Sequence, residues 1–556
     1  MSKIKTHYLS YLIILILFFT SFISGGYFHY VSSLLSVFLI LIYIYLLFKE
    51  KKIIIGINLN TLTLFIFIIF YLLSSFWAID SSMSIYGFIK FFPVLLFYLI
   101  IHYVNDDKKT IIKNIPVIGC TMTILSFICM QLNLLDGIVS VNHRLAGFMQ
   151  YPNTYALFML VCFILSIDSL DIDKKNKISF IHIMISLFGI VMSGSKAIYI
   201  LTFISLFILL FSKKSLRKYI IFTFIAIIVL SIIIFIIYQP TVSLSTFYGR
   251  LLYYKDALPV IIKHPFGLGY YGYFFIQNEI QTGIYTIVNV HNELLQIALD
   301  IGIIPALLFY IMIIKAIVKC KNKLILSVIL LHSLFDYDFQ FIFMFFILII
   351  FLDIDHVKQY NISILTKGLI YLSSICILIV SIKLGLSDYY YMNGNYNQAL
   401  KYDNQNTMAQ IYQLTNISSY DEINNLTNAI LEKNQHISYT YILKANIALS
   451  LGNVQDYIDY ETLAIELNPY NYEEYTNYFN TLVQCIEQYQ QSGDFESAEY
   501  CLINLQDIPS MLMLLEQKTS DIAYKTNDKP ITELTQEQIS KIKELEKSIN
   551  ASLSSL

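Results

Sequence analysis

Only three of the 37 basic residues are arginines: Arg144, Arg217 and Arg250. The chain is rich in Ile, Lys, Asn, Tyr and Phe, so lysine is its default cation. An arginine here hints at a need for a planar, forked guanidinium. Arg144 opens Arg144-Leu145-Ala146-Gly147, followed by Pro152-Asn153. Its fork could hold a diphosphate by paired hydrogen bonds, or it could be a snorkelling arginine at a membrane edge. Ser193-Gly194-Ser195-Lys196-Ala197 reads as an anion-binding turn with a cation, or as a tight turn with a solvated lysine. Tyr248-Gly249-Arg250, with Lys255, Lys263 and then His264-Pro265-Phe266-Gly267-Leu268-Gly269, supplies a second fork and a histidine beside a glycine turn. An amphipathic helix resting on a membrane would look the same. His291-Asn292 precedes Gly302 by nine intervening residues. A neutral imidazole can take a proton from a hydroxyl, with Asn292 or Glu293 to orient it; a helix-capping cluster is the plainer reading. His332 to Asp338 adds a histidine and two carboxylates, Asp336 and Asp338, either shaping an acceptor site or simply solvated.

Other chemistries lack their residues. There is no GxxxxGK[ST] loop, no zinc spacing and no DxD in a soluble nucleotide-sugar domain, which argues against ATP hydrolysis and a cytosolic nucleotide-sugar donor. No metal or cofactor is expected, and no nucleic acid. Of seven cysteines, five lie in apolar stretches as small core residues; Cys485 and Cys501 could pair in an oxidising space.

The elements that must position these residues are membrane helices. Of 556 residues, 56% are hydrophobic and 14% charged, against about a quarter charged in a soluble domain. The expected fold class is all-α: a polytopic membrane bundle of about 12–13 spans with a C-terminal soluble α-helical repeat domain. Apolar runs mark spans at 8–24, 28–48, 53–76, 85–104, 115–132, 154–167, 178–193, 197–211, 219–238, 294–314, 324–336, 339–352 and 365–386. The first is followed at once by others and has no small-residue cleavage site, unlike a signal peptide. Twenty Lys and Arg fall in alternate loops and five in the intervening ones, which puts the N-terminus in the cytoplasm. With thirteen spans the C-terminal tail emerges outside, as do all the motifs above. Two outer connections are long: 133–153 and 239–293. Within the second, 244–262 reads as a surface helix with Leu251, Leu252, Leu258 and Ile261 on its apolar side.

Residues 1–386 form the membrane domain, 387–529 helical repeats, and 530–556 a charged helix. The tail from 387 carries net charge −14, against +12 for the rest. Gly394-x-Tyr396-x-x-Ala399, Leu451-Gly452 with Tyr457 and Ala464 before Asn468-Pro469, and Gly493-Asp494-Phe495-x-x-Ala498 resemble degenerate tetratricopeptide repeats. Such repeats stack helix pairs into binding surfaces and do no chemistry.

Taken together, R-x-x-G-x-x-x-x-P-N (Arg144–Asn153), S-G-S-K-A (Ser193–Ala197), the loop arginine with H-P-x-G-x-G (His264–Gly269) and H-N-x9-G (His291–Gly302) resemble the O-antigen ligase/polymerase superfamily of membrane glycosyltransferases. The resemblance covers roughly residues 1–386. Pro305 stands where the family has a small or aromatic residue, and Lys196 where it usually has arginine. The resemblance implies a metal-independent, inverting glycosyltransferase in the cytoplasmic membrane. The donor is a glycan on undecaprenyl diphosphate, and the acceptor is a hydroxyl of a glycan, lipid or protein at the outer face. Arg144 and Arg250 would stabilise the leaving diphosphate and His291 would activate the acceptor. Lys196, His264, Asn292, Asn153 and Asp336 would bind substrate. The tail could recruit protein partners. The rival readings are a flippase or exporter of lipid-linked polysaccharide and a membrane-anchored repeat scaffold for envelope assembly. The first expects inverted repeats, none of which are found, and the second needs far fewer spans.

Overall fold

A computed structural model describes residues 3–553 except 173–176, 219, 224, 226–228, 230–243, 353–356 and 362. Helices α1 (Lys3–Phe22) and α2 (His29–Glu50) lead to strand β1 (Lys52–Gly56), then α3 (Leu59–Leu73), α4 (Ser81–Ile101) and α5 (Lys108–Gln131). A short hairpin, β2 (Ser140–Val141) and β3 (Arg144–Leu145), precedes α6 (Pro152–Ile172), α7 (Lys177–Ser193) and α8 (Lys196–Ser212). The long loop holds α9 (Ser245–Lys263) and α10 (Gly272–Ile280). There follow α11 (Glu293–Ile301), α12 (Ile303–Lys319), α13 (Lys323–Ser333), α14 (Ile342–Phe351), β4 (Val357–Asn361) and α15 (Ile364–Met392).

Among the described residues, five helical stretches are long and apolar enough to cross a membrane: 29–50, 59–76, 81–131, 152–171 and 364–392. Five shorter apolar helices, including α13 and α14, accompany them. The expected span 219–238 lies largely outside the described residues. Two expectations need correcting. The run 53–76 begins as β1, which pairs antiparallel with β4 from Lys52↔Asn361 to Gly56↔Val357, so the fold is not purely helical. The run 294–314 is two helices broken at Gly302.

Every residue of α14 is buried, and α4 is buried almost throughout. These all-round apolar helices form the centre, as a helix without a polar face must. By contrast α15 keeps most of its apolar surface outward. The two ends of the bundle differ. The β1–β4 pair, with Lys52 and Lys358, sits at one end. The long loop, Arg144 and the starts of α6 and α11 sit at the other.

Helix α15 runs unbroken across residue 387 into the tail. The tail's first residues, including Leu414, Ile430 and Ile437, share the core of the membrane domain, and a second core runs from Ala445 to Ile549. The tail is built of helix hairpins, with turns at Gly394, Gly452 and Gly493 in the left-handed region. Asn395, Asn453 and Asp494 then cap the next helix through their side chains. Cys485 and Cys501 are buried, unpaired thiols on two packed helices. The tail lies on the long loop. His436 Nδ1 is 2.9 Å from Glu279 Oε2, and Ser520 N donates to Thr282 O at 2.8 Å.

In the second core Glu461 is buried beside Glu474. Burial first, then the neighbouring carboxylate, pushes its carboxyl up to about 9. A carboxyl raised by folding adds stability below its ordinary value of 4.5 and loses it as pH climbs toward about 9. Full-length protein in detergent should therefore melt at falling temperature from about pH 5 to about pH 9. Glu461→Gln should flatten that slope.

Candidate functional site

The long loop and the broken helix fit together through their glycines. Leu268 N donates to Leu299 O at 2.6 Å, Gly269 N to Asp300 O at 3.0 Å, and Ile303 N to Pro265 O at 3.0 Å. Gly302 has φ +98°, and a Cβ there would lie 2.6 Å from Pro265 O. A Cβ on Gly267 would lie 2.6 Å from Asp300 O. The spacing of both motifs is thus explained: His264–Gly269 docks on the break that ends the nine-residue α11. At the other end of α11, Asn292 Oδ1 accepts from Leu295 N at 3.1 Å and its Nδ2 donates to Leu334 O at 2.9 Å. Asn292 therefore caps the helix. Neither it nor Glu293, which accepts from Phe339 N, orients the imidazole.

The imidazole is oriented by Asp336. Because α13 stops at Ser333, this residue sits in the connection beyond the helix, yet it is only 1% exposed. His291 Nδ1 is 3.2 Å from Asp336 Oδ1, and Arg250 Nη2 is 3.1 Å from Oδ2. Tyr151 OH donates to Oδ1 at 2.7 Å and Asn153 Nδ2 to Oδ2 at 2.9 Å. Burial alone would raise this carboxyl. The hydrogen bond and charge of His291, with the charge of Arg250, outweigh it and hold Asp336 well below the usual carboxylate range. Asp336 in turn raises Arg250, although burial works against it. With Nδ1 facing a carboxylate, the proton belongs on Nδ1 and the lone pair on Nε2.

Arg144 is fixed by two hydrogen bonds, Nε to Ser193 O and Nη2 to Asn153 Oδ1, each 2.7 Å. Arg144, Asn153, Lys196 and Arg250 line one cavity of about 380 Å³, with Ser195, Thr246 and Phe247 also in its walls. Sequence motifs more than a hundred residues apart thus converge. His291 is not among the lining residues; it is linked to two of them, Arg250 and Asn153, through Asp336. His264 lies apart: it lines two other cavities, one with Trp77 and Phe266, the other with Glu279 and His436. Among the described residues no group of three or more His, Cys, Asp or Glu side chains could hold a metal ion.

Several contributors were not singled out from the sequence. Tyr151 bonds Asp336 and lies 3.3 Å from His291 Nδ1. Tyr254 donates to the His291 carbonyl. The rings of Tyr253 and Tyr337 pack on the imidazole at 6.0 and 4.9 Å. Tyr151 adjoins Pro152-Asn153 and was within reach of that motif. Tyr337 likewise lies inside the His332–Asp338 motif, whereas Tyr253 and Tyr254 carry no spacing signal among 44 tyrosines. On the loop helix, Leu252 and Ile261 are buried as expected, whereas Leu258 is 48% exposed; Gly249, Asp256 and Val260 complete the inner face.

Gly302→Ala forces a side chain into a strained conformation and against the Pro265 carbonyl. It should cost about 1–3 kcal/mol, read as a lower unfolding temperature of the detergent-purified protein.

Residues 181–311, which carry Lys196, Arg250, His264 and His291, match the family model described as O-antigen ligase. No curated protein and no solved structure matches the chain. The membrane helices and this match support the O-antigen ligase superfamily and, coarsely, a membrane protein of the glycan-transferring ligase type.

Proposed function

We propose that this protein moves a glycan from a polyprenyl diphosphate to an acceptor hydroxyl at the outer face of the cytoplasmic membrane. The observation that carries the reading is the cavity shared by Arg144, Lys196 and Arg250, whose Arg250 and Asn153 are bonded to the Asp336 that holds His291. The acceptor O–H gives its proton to His291 Nε2. The oxygen bonds to the anomeric carbon as the bond from that carbon to the diphosphate oxygen breaks. The electron pair leaves with the diphosphate, whose growing charge the three cations stabilise. Attack opposite the leaving group inverts the anomeric centre, and no step calls on a metal. Asp336 keeps Nδ1 protonated and stabilises the imidazolium. His264 stands further off and would contact only a longer substrate. The tail, stacked on the same end of the bundle as the site, belongs outside the membrane in this reading, with a repeat surface open to partners.

Arg250→Ala should lower the transfer rate about 10²–10³-fold, and His291→Ala or Asp336→Asn about 10²–10⁴-fold. Membrane insertion should be unchanged. The measurement is glycan gel analysis of cells carrying each variant. Full-rate transfer by the inserted His291→Ala protein would overturn the assignment. In a deletion strain, single lipid-linked units point to a polymerase and long chains stranded on lipid to a ligase.

A further inference from the structure

A second cavity, of about 290 Å³, lies on the other side of the loop helix α9. Thr246, Gly249 and Tyr253 of that helix form one wall, Thr286 another, and Asn527 and Asp528 of the tail the third. Thr246 also lines the cation cavity, so the two hollows lie on different sides of a single helix and meet at that residue. Their chemistry differs. Among the described residues no lysine or arginine lines the second, which offers hydroxyls, an amide, one carboxylate and the Tyr253 and Tyr285 rings, with Leu252 and Ile284 beside them. That surface suits an uncharged polyol, which takes hydrogen bonds along its rim and an aromatic ring against its face, and it does not suit a diphosphate.

Its position relative to the base is the second observation. Tyr253 lies between this cavity and the imidazole, its ring stacked on that of His291 at 6.0 Å and 29°. The tail wall is anchored. Ala523 packs with Leu252 and Tyr285, Ser520 N bonds Thr282 O, and Lys525 Nζ lies 5.5 Å above the Tyr248 ring. Asp256, buried on α9, accepts from Thr282 N, Thr282 Oγ1 and Tyr285 OH at 2.7–3.0 Å, fixing the middle wall to the same helix.

Resting on the transfer reading above, we infer that this cavity receives the terminal sugar of a glycan acceptor, and that the C-terminal tail, through Asn527 and Asp528, is part of the acceptor site. Its volume is near the lower end of the range for ligand pockets, about 300–1,000 Å³, so it takes a chain end and not an extended polymer. The acceptor hydroxyl then enters past Thr246 toward the anomeric carbon and gives its proton to His291.

The test uses the full-length protein with Asn527→Trp, an exposed position whose new ring would fill the cavity. Farnesyl diphosphate serves as the donor probe. Asn527→Trp should bind it within about twofold of wild type, since the cation cavity is untouched, while transfer in cells falls at least about tenfold and lipid-linked glycan accumulates. Arg250→Ala should lose probe binding. Wild-type transfer by Asn527→Trp, alongside a dead His291→Ala, overturns the acceptor cavity and leaves the donor reading standing. Equal loss of probe binding and transfer in Asn527→Trp also overturns it, because the cavity would then serve the donor or the fold. Normal transfer by His291→Ala would instead overturn the parent reading.

Discussion

The candidate site depends on one buried carboxylate. Asp336 draws its partners from three other segments: Tyr151 and Asn153 at the start of α6, Arg250 on the loop helix, and His291 before α11. A carboxylate taken out of water is costly unless each oxygen is satisfied and a countercharge is near. Here both oxygens are bonded and a guanidinium is in contact. Removing Arg250 would leave the buried charge without its guanidinium, and removing Tyr151 or Asn153 would leave a carboxylate oxygen short of a donor. The same arrangement sets the imidazole tautomer and points one arginine toward the cavity.

That assembly relies on backbone geometry that only glycine allows. Gly267 and Gly302 bring the H-P-x-G-x-G turn and the helix break within hydrogen-bonding distance of each other. A helix crossing without interruption would carry His291 on a rod free to slide. The break makes α11 a nine-residue post, capped at one end by Asn292 and clamped at the other by Pro265 and Leu268. The irregular backbone is tolerated because its polar groups are paired within the protein.

The tail extends this scheme. It shares the membrane core as far as about residue 443 and then continues on a core of its own, pressed against the loop that carries Arg250. This keeps the loop helix between two packed bodies, so that helix can present different chemistry on its two sides.

The sequence by itself determined the membrane bundle, the helical tail, the end at which polar motifs gather, and four of the residues that meet there: Arg144, Lys196, Arg250 and His291. Composition and periodicity carry the bundle, the tail and the sidedness, because burial of apolar surface and placement of lysine depend on residue type alone; the four residues were picked out by the resemblance of their motifs to a family. It left several matters open. His264 shares a motif with the site, yet the chain turns it toward other cavities. Asn292 proved a cap, and the orienting role went to Asp336, 45 residues on. The run 294–314 is apolar enough overall to read as one span despite Gln296 and Asp300, and hydropathy does not report the break that Gly302 makes. The strand pairing of β1 with β4 joins residues some 300 apart. In each case the deciding quantity is a contact between distant segments, set by which backbone groups remain unpaired once the helices have packed. No local pattern encodes that, and only the tertiary structure decided it.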